Sequence, residues 1–159
     1  MNPGQVKEME LTTRIFGTID IDEEKIITFE NGIIGFGDLK RFILIHDAEN
    51  ENASITWLQS IDEPAFAMPV IDPLLVNETY DPIIEDELLM CLGELSAEDI
   101  LVLVTVTVPS DITKMTCNLM APIIINANNR KACQVITEGD EYPVKYEIYD
   151  ILKARKEQV

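Results

Sequence analysis

The chain has 159 residues, a formal net charge of −17 and an apolar content of 47%. This length suits a single domain with one main core, and the apolar content argues against a disordered chain. With 29 Asp and Glu against 12 Lys and Arg, the surface repels phosphate groups. We therefore expect no direct contact with nucleic acid and no membrane association.

Residues 1–8 are polar and lack the apolar run of a secretion signal. We interpret them as an N-terminal extension of a cytoplasmic protein. The cysteines Cys91, Cys117 and Cys133 are far apart, and none lies in a C-x-x-C pair. This spacing favours reduced thiols and indicates neither a disulfide framework nor a zinc site, so we expect no metal and no cofactor.

The first part of the chain predicts strands separated by turns. Residues 12–22 alternate apolar and polar side chains through their second half, as a half-buried strand does. Further strands are predicted at residues 26–29, 42–46 and 54–60, with a glycine-rich turn at residues 31–38 and an acidic turn at residues 47–52.

Later segments are also typical of strands. Residues 65–70 are apolar but contain Pro69, which has no N–H to donate, so we predict an edge strand or the end of one. Residues 101–108 are dense in β-formers and predict a central strand buried on both faces, which Pro109 ends. A hairpin is predicted for residues 119–126 and 133–137, joined over residues 126–129.

Helical signals are short. Residues 85–92 predict a helix closed by Gly93, and residues 96–99 predict a turn with Ser96 as its N-cap. The tail from residue 147 predicts a strand that ends in a mixed-charge helix. Many short strands and few helices indicate one β-barrel or sandwich. We predict an all-β fold, a single small β-barrel-like domain with a few short helices.

The middle of the chain is acidic and almost free of cations. No Lys or Arg lies between Arg41 and Lys114, and 15 of the 29 acidic residues fall in that window. Soluble surfaces usually mix both signs, so an unbroken acidic stretch favours a face for a basic partner. The alternative is a surface made acidic for solubility alone.

Residues suited to catalysis are scarce. The one histidine, His46, lies beside Asp47 at the end of a predicted strand, where a half-exposed structural histidine is the simpler interpretation. Residues 32–37 contain three glycines but lack the strand and helix of a phosphate loop. Asp20 and Asp22 begin a pattern like half of an EF-hand loop, without its glycine and terminal glutamate.

Three segments together resemble the flagellar assembly factor FliW family. Residues 29–36 read F-E-N-G-I-I-G-F, similar to the family turn F-x-x-G-[IL]-P-G-F with Ile34 in place of proline. Residues 57–66 read W-L-Q-S-I-D-E-P-A-F and are followed by V-I-D-P. Residues 116–126 read T-C-N-L-M-A-P-I-I-I-N and are followed by Arg130 and by Q-V-I at residues 134–136. The matching motif residues are Gly32, Gly35, Phe36, Gln59, Ser60, Asp72, Pro73, Asn118, Leu119, Ala121, Pro122 and Gln134.

The resemblance covers residues 9–152 as a single FliW-like β domain and leaves residues 153–159 as a C-terminal tail. It implies a non-enzymatic cytoplasmic protein with two protein partners. One is CsrA, the RNA-binding translational repressor of flagellin mRNA, and the other is flagellin. In the family, free FliW holds CsrA off the message, and new flagellin occupies FliW and releases CsrA.

Two candidate surfaces follow for these partners. The apolar residues Phe66 and Met68 share one side of a predicted strand and are candidates for a flagellin site. A basic RNA-binding protein matches an acidic counter-surface. We predict that the acidic face for CsrA comprises Glu78, Asp81, Glu85, Asp86, Glu87, Glu94, Glu98 and Asp99.

Two other functions stay open from the residues alone. A generic acidic inhibitor would bind any basic protein that binds nucleic acid, whereas a FliW-like protein would be selective for CsrA. A small hydrolase would have to use His46 or unpaired carboxylates. The motif residues also have ordinary structural interpretations, as strand ends and turns, alongside that of partner contacts.

Overall fold

The computed structural model describes residues 8–46, 55–139 and 141–157, and the predicted acidic turn at residues 47–52 lies outside them. The fold is mostly β, as predicted. In the described residues, the strands are β1 Glu8–Thr13, β2 Gly17–Asp22, β3 Ile27–Phe29, β4 Arg41–His46, β5 Ile55–Ser60, β6 Ala67–Ile71, β7 Ile100–Thr107, β8 Thr116–Cys117, β9 Ile123–Asn126, β10 Lys131–Gln134 and β11 Tyr146–Glu147.

Seven of these strands close into a barrel. Their order is β7-β6-β5-β4-β3-β10-β9, and β9 pairs back with β7 over Leu103↔Ile123 to Ile100↔Asn126. All neighbours are antiparallel except β3 and β10, which run parallel. Closure gives each of these strands a neighbour on both sides. Short β8 and β11 extend the sheet beyond β7.

The barrel interior is filled by at least one buried side chain from each of its seven strands, which alternate inward and outward. These side chains form one cluster with Ile33 of the turn after β3. Two aromatic rings meet inside it, since Phe29 and Phe42 have centroids 5.2 Å apart in an edge-to-face arrangement. The strand residues of this cluster are Ile27, Phe29, Phe42, Leu58, Val70, Leu103, Ile123, Ile125 and Ala132.

Three smaller clusters cover the outer faces of the barrel. The β1–β2 hairpin packs Leu11 and Ile21 against Ile43 of β4. The C-terminal helix α1 (Tyr149–Glu157) packs on a cluster that includes Val104 of β7. Residues between β6 and β7 pack on the outside of β9 and β10. Apolar side chains on both faces of the strands are therefore buried, which explains their long apolar runs.

Residues 12–22 form a turn and two strand segments, so the prediction of one strand there was wrong in its first half. Thr13 ends β1, and its Oγ1 accepts a hydrogen bond from the N–H of Phe16 and donates one to the carbonyl of Gly17. Gly17 has φ 66° and begins β2. The side chain of Thr13 thus stabilises this turn. The sequence does not indicate the turn, because the β-branched residues around it are typical of strands.

Strand β6 is not an edge strand, because it lies between β5 and β7. Its pairing with β7 is limited to Val70 and Ile71, whereas Pro69 pairs with β5 only, opposite Trp57. A proline is tolerated there because no second neighbour requires its missing N–H. Strand β7 is central as predicted, with Leu103 and Val104 buried in opposite clusters, although Ile100 and Leu101 are exposed.

The other predicted elements are found close to their expected positions. The β9–β10 hairpin is confirmed, although residues 119–122 and 135–137 lie outside its strands, and its loop uses Arg130 at φ 63°. The predicted helix at residues 85–92 is a 3-10 helix, Asp86–Leu92, that Gly93 ends at φ 75°. Ala97–Asp99 is a 3-10 turn, but the Ser96 side chain makes no capping hydrogen bond. Further 3-10 turns occupy Glu23–Lys25, Pro73–Leu75 and Ile112–Lys114.

The glycine-rich turn after β3 folds back on itself. Gly32 donates to the carbonyl of Phe29 at 3.0 Å, and Phe36 donates to the carbonyl of Ile33 at 2.8 Å. A Cβ on Gly32 would lie 2.6 Å from the Cα and carbonyl oxygen of Gly37. Both Gly32 (φ 68°) and Gly35 (φ 89°) have positive φ, but nothing lies within 4 Å of a Cβ on Gly35. Of these two positions, residue 32 therefore requires glycine because of both its positive φ and the close contact with Gly37, whereas residue 35 favours glycine because of its positive φ alone.

We predict that Gly32→Ala lowers the free energy of unfolding by about 3 kcal/mol or more, because positive-φ strain adds to a backbone clash. Gly35→Ala has the strain alone and should cost about 1 kcal/mol. Urea unfolding followed by Trp57 fluorescence measures both. Equal losses for the two variants would contradict the assigned turn geometry.

Candidate functional site

The predicted acidic face lies in the connection between β6 and β7. We define residues 78–99 as the acidic segment. Its carboxylates point outward: seven of the eight predicted residues are exposed, and Asp99 is half-buried. Its apolar residues Leu89, Leu92 and Leu95 pack inward against Ile124 and Val135. The segment is therefore amphipathic, with an apolar side on the barrel and an acidic side toward solvent.

Side-chain amides of the β9–β10 hairpin hold the acidic segment in place. The buried Asn126 donates from Nδ2 to the carbonyls of Leu92 (2.9 Å) and Glu94 (3.1 Å). Asn129 Nδ2 donates to the same Leu92 carbonyl at 2.8 Å. The backbone N–H of Ala127 donates to the carbonyl of Asp99 at 2.8 Å. These bonds fix the outward carboxylates on a rigid support.

Two tyrosines fix the start of the segment. The hydroxyl of Tyr80 donates to the carbonyl of Leu119 at 2.6 Å, and the N–H of Asp81 donates to the hydroxyl of Tyr142 at 2.9 Å. The two rings pack edge to face with centroids 4.6 Å apart. Burial raises the pKa of Tyr80 above its ordinary value, so the phenol stays a neutral donor.

Other acidic residues of the cation-free window have structural roles. Asp72 and Asp111 cap 3-10 turns by accepting from the N–H of Leu74 and Thr113. Asp62 forms a salt bridge with Arg41 at 2.9 Å. These three carboxylates lie outside the predicted acidic face and stabilise local structure.

Glu138 extends this acidic surface and was missed in the sequence, because it lies beyond Lys114. The N–H of Glu138 donates to the carbonyl of Ile83 at 3.0 Å, which places Glu138 beside Glu85. The side-chain hydrogen bond with Glu85, followed by desolvation and the charge of Glu85, raises the pKa of Glu138. No local sequence signal indicates this proximity, since it arises from the path of the acidic segment over the barrel.

Gln134 connects two of the motif segments. Its Oε1 accepts from the N–H of Ile34 at 2.9 Å, and its Nε2 donates to the carbonyl of Ala121 at 3.0 Å. Asn118 Oδ1 accepts from the N–H of Met120 and Ala121. The motif residues Leu119, Ala121 and Pro122 are buried.

The second motif segment is held by buried side chains. Gln59 is fully buried, and its Nε2 donates to the carbonyls of Ser60, Pro64 and Phe66 at 2.9–3.1 Å. Ser60 Oγ accepts from the N–H of Glu63 at 2.9 Å. Pro73 is buried at the start of a 3-10 turn. These motif residues therefore all have scaffold roles.

The candidate flagellin residues Phe66 and Met68 are half-buried and pack on the barrel core. Phe66 precedes β6, and its ring lies 4.6 Å from the ring of Phe36. Phe36 is the exposed member of this pair. Phe66 and Met68 thus contribute to packing, and their role in partner binding stays a prediction.

The described residues contain no arrangement typical of a catalytic or metal site. His46 is exposed at the end of β4, with Nδ1 3.3 Å from Thr56 Oγ1. Burial raises the pKa values of Cys117 and Cys133 to about 12, so these thiols are not activated nucleophiles. Asp22 caps a 3-10 turn by accepting from the N–H of Glu24. Among the described residues, no three Asp, Glu, His or Cys side chains are grouped as metal ligands.

No helix in the described parts of the chain has both the length and the apolar character needed to cross a bilayer.

Comparison with known proteins agrees with the fold and the motifs. The family model described as FliW protein matches residues 10–148. The chain belongs to the FliW family. The flagellar assembly factor FliW of Lachnospira eligens is 54% identical over 147 residues, which cover 91% of this chain and 97% of that protein. The FliW of Lachnoclostridium phytofermentans is 51% identical over 148 residues, covering 92% and 95%.

A solved structure supports the same assignment. A crystal structure of the flagellar assembly factor FliW superimposes with a TM-score of 0.80 at 32% identity, covering 89% of this chain and 97% of that chain. The family resemblance seen in the three motif segments is therefore confirmed. The matched range contains all three segments and the whole acidic segment.

The salt bridge of Asp62 predicts a pH dependence of stability. Hydrogen bonds from the backbone N–H groups of Lys40 and Arg41 and from the Arg41 guanidinium outweigh desolvation and hold the pKa of Asp62 below its ordinary value. Because the folded pKa is lowered, the stabilisation is present above the unfolded pKa of about 3.9 and is lost as pH falls through the folded pKa.

We therefore expect Asp62→Asn to lower the free energy of unfolding by about 1 kcal/mol at pH 7, a value reduced by the exposure of this pair. The difference from the parent chain should shrink below about pH 4. Urea titrations at a series of pH values measure it, with the exposed Glu30→Gln as the control. A difference that is constant with pH would contradict the role of the ionised carboxylate.

Proposed function

We propose that this chain is a non-enzymatic, cytoplasmic flagellar assembly factor that binds the translational regulator CsrA and flagellin. Binding of CsrA relieves repression of flagellin mRNA, and flagellin displaces CsrA. The observation that carries this proposal is the FliW family membership together with an outward acidic segment on a rigid support. The relatives named above are flagellar assembly factors, which favours the same role here.

The side chains support a binding role over catalysis. General acid–base or nucleophilic chemistry requires a placed group with a suitable pKa. Two of the cysteine thiols have pKa values raised to about 12, and His46 lies exposed beside Thr56. The conspicuous polar groups of the motifs, such as Gln59, are committed to backbone carbonyls.

The acidic segment is the surface that suits CsrA. An RNA-binding repressor presents basic groups, and complementary charge speeds the encounter of two proteins and rejects partners of the wrong sign. The 3-10 helix Asp86–Leu92 places Asp86 and Glu87 in solvent next to Glu85. The amides of Asn126 and Asn129 hold this segment in place. Binding of a partner to its carboxylates therefore does not include the free-energy cost of ordering a loop.

We predict that association with CsrA slows roughly tenfold between low and high salt, because exposed charges are screened over ~8 Å at physiological ionic strength. The dissociation rate should change less. Replacing Glu85, Asp86 and Glu87 with serine should reproduce part of the loss. Surface plasmon resonance with immobilised CsrA measures both rates.

A matched control replaces Glu23, Glu24 and Glu30 with serine, which removes equal charge from exposed positions outside the acidic segment. This variant should keep most of the association rate. An association rate that is indifferent to salt and to both substitutions would mean that the charge serves solubility alone. Equal binding of an unrelated basic protein of the same net charge would favour the generic acidic inhibitor instead.

Flagellin is the second proposed partner, and its binding should be coupled to that of CsrA. We expect saturating flagellin to weaken the affinity for CsrA at least about fivefold, a typical size for coupled ligands. Reciprocity requires CsrA to weaken flagellin binding by the same factor. Isothermal titration of CsrA with and without flagellin measures the coupling, and identical dissociation constants in the two titrations would refute the partner switch.

A further inference from the structure

An apolar groove lies beside the acidic segment, with a volume near 360 Å³. Its floor is formed by Cys133, Gln134 and Val135 at the end of β10. One wall is the turn at residues 31–34, which Gln134 holds through the N–H of Ile34. The other wall is the 3-10 helix Asp86–Leu92. This volume is within the ~300–1,000 Å³ range of ligand pockets in proteins.

Large apolar side chains around this groove are exposed to solvent. Leu88 on the helix wall is 42% exposed, Ile34 on the opposite wall is 52% exposed, and Ile136 at the end of the floor is 58% exposed. These three residues come from distant parts of the sequence and converge on one site. Exposed apolar side chains that cluster in a concave site mark an interaction surface more strongly than single ones do.

One end of the groove is acidic. Glu138 lies two residues after the floor residue Ile136, and its N–H donates to the carbonyl of Ile83 at 3.0 Å, which places it beside Glu85 and near Asp86 at the start of the helix wall. Hydrogen bonding to the Glu85 side chain, followed by desolvation and by the charge of Glu85, raises the pKa of Glu138. Within the described parts of the chain, the only salt bridge joins Arg41 and Asp62, so these carboxylates have no cation of their own there.

We propose that this groove docks a short amphipathic helix of a protein partner, with apolar side chains over Leu88 and Ile136 and a lysine or arginine over Glu85 and Glu138. Apolar residues spaced i, i+3, i+4 and i+7 on a helix fit a groove of this kind. A cation from the partner relieves the repulsion between the two carboxyl groups. The site is distinct from Phe66 and Met68, and the inference requires neither CsrA nor flagellin.

Other occupants fit the groove less well. An extended peptide has little of β10 to pair with, because residues 131–134 are paired with β9 and residues 131–132 also with β3, which leaves only residues 133–134 open on one side. An anionic lipid or nucleic acid would be repelled by Glu85 and Glu138. A neutral apolar small molecule would leave the acidic end unused. A basic amphipathic helix uses both the apolar walls and the charge.

The test uses a synthetic helical peptide of about 16 residues with leucines at i, i+3, i+4 and i+7 and lysines at both ends. A second peptide has glutamate in place of lysine. We expect the lysine peptide to bind and the glutamate peptide to bind at least tenfold more weakly, as measured by fluorescence anisotropy. Amide shifts in NMR spectra of the full chain should concentrate on residues 31–36, 86–92 and 133–138.

Matched variants distinguish this groove from the overall charge. The double variant Leu88→Ser and Ile136→Ser should weaken the lysine peptide at least tenfold, and Glu85→Gln with Glu138→Gln should weaken it several-fold. The double variant Ile112→Ser and Val144→Ser trims equally exposed apolar residues outside the groove and should bind normally. All four positions are exposed, so the fold should persist, as checked by circular dichroism.

Three results would overturn the proposal. They are equal affinity for the two peptides, normal binding by the groove variant, and amide shifts that fall outside the groove. A failure of CsrA or flagellin binding would leave the peptide result unchanged, so the outcomes for this groove and for the proposed function are separable.

Discussion

Pairing of β7 with β9 closes the barrel, and the other layers of the molecule depend on this closure. Closure gives every strand of the ring two neighbours and leaves only short stretches unpaired on one side, such as residues 67–69 of β6. The interior is filled by side chains from every strand, including Phe29, Phe42 and Leu58. Outside the ring, three faces of the barrel are covered by other elements.

The longest of these coverings is the connection between β6 and β7, residues 72–99. These strands are antiparallel neighbours, and a hairpin of 2–5 residues would suffice to join them. The extra residues pack Leu89, Leu92 and Leu95 against β9 and β10 and direct their carboxylates outward. One amphipathic connection thus completes a second core and supplies the charged surface. The buried amide of Asn126 joins these two functions, because it bonds the segment to the barrel.

The family motif residues act mainly by holding loops at fixed positions. Gln134 links the glycine-rich turn to the segment before β9, and Gln59 closes the loop between β5 and β6. Buried amides that satisfy backbone carbonyls specify one geometry, since an unmet partner in a low-dielectric interior is costly. Side-chain amides hold both walls of the groove beside the acidic segment. Gln134 bonds the turn that forms one wall, and Asn126 and Asn129 bond the carbonyl of Leu92, at the end of the helix that forms the other wall.

Local pattern determined most of the strands, the β9–β10 hairpin, the helix at residues 85–92 and the acidic character of the middle of the chain. These features depend on near neighbours in the sequence, through side-chain alternation, turn formers and composition. The turn at residues 14–16 escaped prediction because it is stabilised by the Thr13 side chain among β-branched residues. The position of β6 depended on a distant strand, β7, and no local signal in β6 reports that pairing.

The candidate sites also have some features that the sequence determines and others that depend on the tertiary structure. The sequence by itself determined which carboxylates are clustered along the chain and, through three motif segments, the family. Only the tertiary structure decided that Glu138 lies beside Glu85, that Asp62, Asp72 and Asp111 are committed to salt-bridge and capping roles, and that Ile34, Leu88 and Ile136 share one groove. The physical reason is that charge and apolar character belong to single residues, whereas adjacency is set by the closure of the barrel and the path of the chain around it.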